Sequence, residues 1–343
     1  MRSRIRVTSK VNGVSHGQAS ESGFTIIEMM VGIVVFTIVM GSIYGLLMVA
    51  RGGRINTNQR SEIMQNARMA INTMSRDAIN AGVGYPNEGA YIPDNRLTTI
   101  MGGVNDADTN EDLLTPVNAR NGSITINGVA SDQVSFLFVD DTFNAGVSLP
   151  ITAWRNNGAN VQISAGWNNA PCAQNDIYLL TAQNGCAMGM MHDAGAEIAG
   201  VNTDKVTFAT GDILGLNNPG GAASPIFNCA FPGTLQRVLW VSYFIVADVG
   251  STQTGTLMRR VYGGATGWVD QPLAYGIESL QFQYVLENGS VVDLPALIEM
   301  KLVRQVRLSV AVRSPDIDPT TKLPYRTTLT STFSTRNTAY EKL

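Results

Sequence analysis

The sequence predicts an α+β chain, with one long N-terminal helix followed by antiparallel β-sheets. Three observations carry this. From Phe24 to Ala50 the chain is apolar, and Glu28 is its only charged residue. Apolar residues then recur at helical spacing until Gly82, Gly84 and Pro86 stop the pattern. Beyond that stop roughly 260 residues remain, enough for a sizeable core. They read as short alternating runs punctuated by Gly, Asn and Asp.

Residues 1–23 carry Arg2, Arg4, Arg6 and Lys10 against Glu21 and contain no apolar run. A secretory signal places its apolar region before a small-residue cleavage site. Here the order is reversed, because the junction Gly23-Phe24 precedes the apolar segment. A cut there leaves the apolar helix on the mature chain. Residues 24–50 are long enough to cross a bilayer, for which roughly 20 apolar residues suffice. The basic leader keeps the N-terminus cytoplasmic and puts the residues after Ala50 outside. Arg51, Arg54 and Arg60 weaken that asymmetry without reversing it.

A carboxylate near the start of such a helix is expensive in lipid and asks for a reason. Glu28 reads either as an interfacial residue that snorkels or as a charge partner when several such helices assemble. In the second case it compensates the amine of Phe24 on a neighbouring copy, since an unpaired buried charge is costly.

The helix continues past the membrane segment. Ile63, Ala67, Ile71, Met74 and Ala78 recur at steps of three and four, with Arg60, Glu62, Arg68 and Arg76 on a solvated face. One helix of about 55 residues is expected, from near Phe24 to near Ala81. Its second half, 51–84, lays an apolar side on a sheet. Gly32, Gly41, Gly45, Gly52 and Gly53 interrupt it. Gly41 and Gly45 form a small-xxx-small pair that permits close helix approach. These glycines read equally as ordinary membrane-helix residues or as a means for the helix to loosen and repack.

Residues 85–122 read as loop. Strands are predicted at Ser123–Asn127, Gln133–Val139, Asp176–Thr181, Lys205–Ala209, Arg237–Ala247 and Thr256–Tyr262. Ile277–Glu287 and Ser290–Leu294 flank Asn288-Gly289, a hairpin signal. Val306, Leu308, Val310 and Val312 alternate with Arg307, Ser309, Ala311 and Arg313 as a half-buried strand. Thr327–Thr335 is the last strand. Residues 85–343 are therefore expected to be one antiparallel β domain.

The Gly23-Phe24 junction, Glu28, the basic leader and the apolar helix together resemble the type IV prepilin superfamily. In that resemblance Gly23 precedes the prepilin peptidase cut, Phe24 becomes the N-methylated terminus, and Glu28 is the glutamate at the fifth mature position. The run Val303-Arg304-Gln305-Val306-Arg307-Leu308-Ser309-Val310-Ala311-Val312-Arg313-Ser314, followed by Phe333-Ser334-Thr335-Arg336-Asn337, resembles the PilW-like minor pilins. The pseudopilin J component of type II secretion is related, and the size of this chain favours the minor pilins. Residues 85–300 resemble nothing that can be named. The resemblance implies a type IV pilin-like fold and a low-abundance subunit of a tip complex that primes pilus assembly. Its partners would be other minor pilins, the major pilin, prepilin peptidase, the inner-membrane assembly platform and the lipid itself. The chain would be single-pass in the inner membrane, with its C-terminal domain periplasmic and, after assembly, at the pilus tip. Many major pilins have a helix-breaking Pro in this helix, and this chain has none.

Other chemistry is sparse. The net charge is −3, becoming more negative once the basic leader is lost, and no basic patch supports nucleic-acid binding. Cys172, Cys186 and Cys229 lie in the exported part. A Cys172–Cys186 disulfide around the strand 176–181 is preferred, pairing with Cys229 stays open, and the odd count leaves one thiol free. Asp106, Asp108, Asn110 and Asp112 alternate as calcium-loop oxygens do, yet Glu111 and Val117 stand where such a loop has Gly and Glu. A solvated acidic loop is the competing reading. His192 is the only histidine after the leader, and no nucleophile elbow, P-loop or dinucleotide fingerprint is present, so no enzyme is expected. A second class of function is a tip-located binding module, for which Trp154, Trp167 and Trp268 would serve if exposed together in a groove. Their burial would speak against it.

Overall fold

The computed structural model describes residues 23–102, 110–155, 160–163, 172–183, 185–192, 205–217, 225–228, 232–318 and 321–335. The chain divides into two units, with the boundary between Ile55 and Asn56. Helix α1, Ile26–Asn80, runs without interruption through the glycines and contributes to both.

In the second unit α1 presents Ile63, Ala67, Ala70, Met74 and Ala78 to the core, all buried. The predicted stripe is met except at one position, where Ala70 is buried and Ile71 sits at the edge. Three alanines on this face, Ala67, Ala70 and Ala78, let the helix backbone approach the sheet closely. Arg60, Glu62, Arg68 and Arg76 are exposed, as their spacing predicts. The helix ends where Gly82 and Gly84 take positive φ, of 82° and 65°. A Cβ on Gly84 would lie 3.0 Å from the Val139 Cβ, so the chain turns there against the sheet only because glycine stands at that position.

The sheet is mostly antiparallel. One part is ordered β3 (Val117–Ile126), β4 (Val129–Val139), β10 (Gly233–Ala247), β11 (Gly255–Tyr262), β12 (Trp268–Leu286), β14 (Val303–Ile317) and β15 (Pro324–Ser334). The other part gathers β1 (Ala90–Ile92), β2 (Asp112–Leu114), β5 (Leu149–Arg155), β6 (Asn160–Ile163), β7 (Ile177–Ala182), β8 (Gly185–Met190) and β9 (Lys205–Thr207). Strand β10 joins them. Its first residues pair with β5 and β7, and its later residues with β4 and β11. Past Ile277, β12 has left β11, and β4 reaches its backbone with side chains. Ser131 Oγ accepts from Leu280 N at 3.3 Å and the Asp132 carboxylate from Phe282 N at 3.0 Å.

Residues 85–122, expected as loop, hold β1, β2, the short helix α2 (Arg96–Met101) and the start of β3. The reason is tertiary. Phe136 and Val241 face the helix, while Leu137 and Trp240 face the other way. Strands β4 and β10 are therefore buried on both faces, and Tyr85, Ile92, Met101 and Leu114 cover the far one. Strand β14 alternates as predicted, with Val306, Leu308, Val310 and Val312 buried. The hairpin after β12 forms at Asn288-Gly289, with Gly289 at φ 83°, but its return strand β13 is only Val291–Val292 instead of Ser290–Leu294.

Asp77 is the one acidic residue on the packed side of α1, 2% exposed. The Tyr243 hydroxyl donates to its Oδ2 at 2.6 Å and Arg259 Nε at 2.8 Å. Burial, then the Asp77 carboxylate, pushes the Tyr243 phenol far above its ordinary range, so it remains a donor. Asp77→Ala leaves Arg259 unpaired in the core and lowers stability by about 3 kcal/mol. Asp77→Asn, which still accepts from Tyr243, costs about half of that. Urea unfolding of the full chain in detergent checks both, and a loss below about 1 kcal/mol for the alanine variant would mean that the Asp77 contacts do not hold the helix to the sheet.

Candidate functional site at the first turn of the helix

Thr25-Ile26-Ile27-Glu28 has the spacing of a capping box, in which a Thr at the N-cap and a Glu three residues on satisfy each other's backbone N–H. The structure forms it. Thr25 N donates to Glu28 Oε2 at 3.0 Å, the Thr25 hydroxyl donates to the same oxygen at 3.1 Å, and Glu28 N donates to Thr25 Oγ1 at 3.2 Å. Thr25 is the residue that the sequence reading passed over, although Thr-x-x-Glu is legible in the chain. The Glu28 carboxylate thus closes the first turn through one oxygen and adds negative charge where the helix dipole favours it. Gly23 and Phe24 lie just before the turn, and Phe24 is 84% exposed.

Every side chain described from Phe24 to Ala50 is exposed. Ile26–Arg51 is long and apolar enough to cross a membrane, with a mean hydropathy of 2.4. An exposed apolar surface of this extent marks a membrane or protein interface. Nothing lies within 4 Å of where a Cβ on Gly32, Gly41 or Gly45 would be, so these positions are open to an approaching helix.

The remaining candidates do not converge. Cys172 and Cys186 are both free thiols, which corrects the expected Cys172–Cys186 disulfide. Cys172 is buried in the core beside Tyr178, while Cys186 borders the core around Leu179 and Met188. Cys172 lies before β7 and Cys186 on β8, and the two sulfurs join different cores. Burial pushes the Cys172 thiol up to about 11. Cys229 lies outside the described residues, as do Asp106 and Asp108 of the calcium candidate. Asp112 begins β2 opposite Ile92, with Asn110 just before it. Among the described residues no group of three or more His, Cys, Asp or Glu is placed to hold a metal ion. His192 is half-buried and bonds through its backbone, donating to Thr207 O at 3.0 Å and accepting from Gln174 Nε2 at 3.0 Å. Trp268 is 38% exposed, and Arg260 lies 4.7 Å over its ring while pairing with Asp270. Trp154 lies on β5 with its side chain outside the described set, and Trp167 lies wholly outside it.

The cap predicts a local effect. Glu28→Ala removes an N-terminal cap worth about 1 kcal/mol, so the amides of the first turn exchange roughly fivefold faster in detergent micelles. Unchanged exchange of the Thr25 and Glu28 amides would mean that the carboxylate does not hold the turn.

Residues 18–44 match the prokaryotic N-terminal methylation motif. The match spans the Gly23-Phe24 junction, the capping box and the first part of the apolar helix. No curated protein and no solved structure matches the chain. The methylation motif, of prepilin type, and the apolar helix that follows it support a processed protein of the type IV pilin- or pseudopilin-like class.

Proposed function

We propose that this chain is a minor pilin of a type IV pilus, of the PilW-like kind, that joins other minor pilins and the major pilin in a tip complex priming assembly. Prepilin peptidase cuts between Gly23 and Phe24 and N-methylates Phe24. The mature chain is held in the inner membrane by α1, with its β domain in the periplasm, until the assembly platform lifts it into the filament. It is not an enzyme. The observation that carries this reading is the apolar helix surface, exposed from Phe24 to Ala50, opening on Gly23-Phe24 with Glu28 in its first turn.

Glu28 then has two tasks. One carboxylate oxygen closes the turn, and the other is left to meet the Phe24 amine of a neighbouring subunit once the helices leave lipid. The open glycines Gly41 and Gly45 supply close-approach positions in the resulting bundle. The competing reading, a minor pseudopilin of type II secretion, uses the same N-terminal chemistry. The size of the β domain favours the pilus.

Gly23→Val is expected to leave the leader attached, read by mass spectrometry as a chain heavier by residues 1–23. Normal processing of that variant would refute the cut. Glu28→Ala is expected to be processed yet poorly incorporated. Deleting the gene and scoring surface pili and secreted proteins in the same cells separates the two machines. Lost pili with intact secretion supports the minor pilin, and intact pili with lost secretion moves the chain to the pseudopilins.

A further inference from the structure

The face of β12, β14 and β15 turned away from α1 holds an open groove of about 670 Å³. That size falls within the roughly 300–1,000 Å³ of small-ligand sites. Phe282, Leu308 and Phe333 point inward beneath the helix, and strand alternation sends their neighbours out. Two registered rows cross the outer face. Gln281, Ser309 and Thr330 form one, and Gln283, Arg307 and Thr332 form the other. Arg307 stands at the middle of the second row.

Arg307 differs from the other arginines of this sheet. Arg259, Arg260, Arg304, Arg313 and Arg326 each pair with a carboxylate, and Arg120 of β3 donates to Met101 O. Arg307 is exposed and makes no ion pair or hydrogen bond among the described residues, although two carboxylates line the same groove. Asp132 is committed to the backbone N–H groups of Gly122 and Phe282, and Asp293 accepts from Gln283 Nε2 at 3.0 Å. The hydroxyls of Ser309, Thr330 and Thr332 have no partner among the described residues, so they are open to a ligand.

These groups define a ligand. A lone guanidinium takes an oxyanion, and its planar fork suits a carboxylate. Asp132 and Asp293 repel a dianion more than a monoanion, which disfavours phosphate. Gln281 Nε2 already donates to Ala130 O and Leu280 O, and Gln283 Nε2 to Asp293. The hydroxyls, the side-chain oxygens of Gln281 and Gln283 and the open oxygen of Asp293 therefore face the ligand, and they are matched by a molecule rich in hydroxyl groups. We propose that this groove binds a carboxylated sugar, a hexuronate unit of an acidic glycan, with its carboxylate on Arg307 and its hydroxyls on Gln281, Thr330 and Asp293. The site stands apart from the N-terminal helix and does not depend on the reading of the chain as a pilin.

The test uses the full chain in non-ionic detergent, with trigalacturonate as the probe and its methyl ester as the neutral control. Calorimetry is expected to show binding of the acid, weakened at least about tenfold by esterification and about tenfold by Arg307→Gln. Arg326→Gln, which breaks a pair with Glu278 elsewhere on the sheet, leaves the affinity within about twofold. Arg307 is a solvent-facing side chain, and an unchanged unfolding midpoint confirms that its variant folds. Equal affinity for acid and ester, or no binding up to about 10 mM, would overturn the assignment. So would displacement of the sugar by inorganic phosphate at equal concentration.

Discussion

Asp77 sets how the second half of α1 meets the sheet. An alanine-rich helix face can slide along an apolar surface at little cost, because each small side chain leaves and enters similar surroundings. A buried carboxylate held by Tyr243 and Arg259 from two adjacent strands cannot do so. Moving it by one turn would strand both a charge and its partner, a loss far larger than any single alanine contact supplies. The helix register, and with it the placement of Ile63 and Met74 over the core, follows from this one polar contact in an otherwise apolar layer. Tyr243 and Arg259 face each other across β10 and β11, so the contact also ties those two strands to the helix.

The two halves of α1 solve different problems with the same backbone. From Asn56 on, the helix hides a narrow stripe and shows charges. From Phe24 to Ala50 its described side chains are all exposed, and they are apolar on every side except at Glu28 and a few small polar residues. Such a surface is at equilibrium only in lipid or among other helices. The capping box at Thr25 and Glu28 satisfies two of the N–H groups at the start of the helix, which matters where no water is at hand to do so.

Much of this was legible in the sequence because the signals are local. The apolar run, the Gly-Gly-Pro stop, and the alternation in Val306–Val312 each depend on residues within a few positions of one another. Thr25 was equally legible and was overlooked. What escaped had distant causes. Strands β1 and β2 are three residues each and exist because β4 and β10 need cover on a second face. Strand β8 is Gly185–Met190, whose Gly and Ala residues carry no period, and β5 contains Pro150, which argues against a strand. Asp77 carried no signal at all, since its partners lie 166 and 182 residues away. The cysteines misled because spacing in sequence says nothing about which core each sulfur joins.

Strand β10 pairs with four others and completes the surface on which α1 rests. A ribosome releases the helix and the β3–β4 hairpin long before it releases residues 233–247. During that interval the stripe from Ile63 to Ala78 and both faces of β4 are without their partner. Contacts of such long range close slowly and leave apolar surface uncovered meanwhile. How long that surface stays uncovered is set by the order of the strands along the chain, since the layer under α1 closes only with Phe333 of β15, and not by how stable the finished domain becomes.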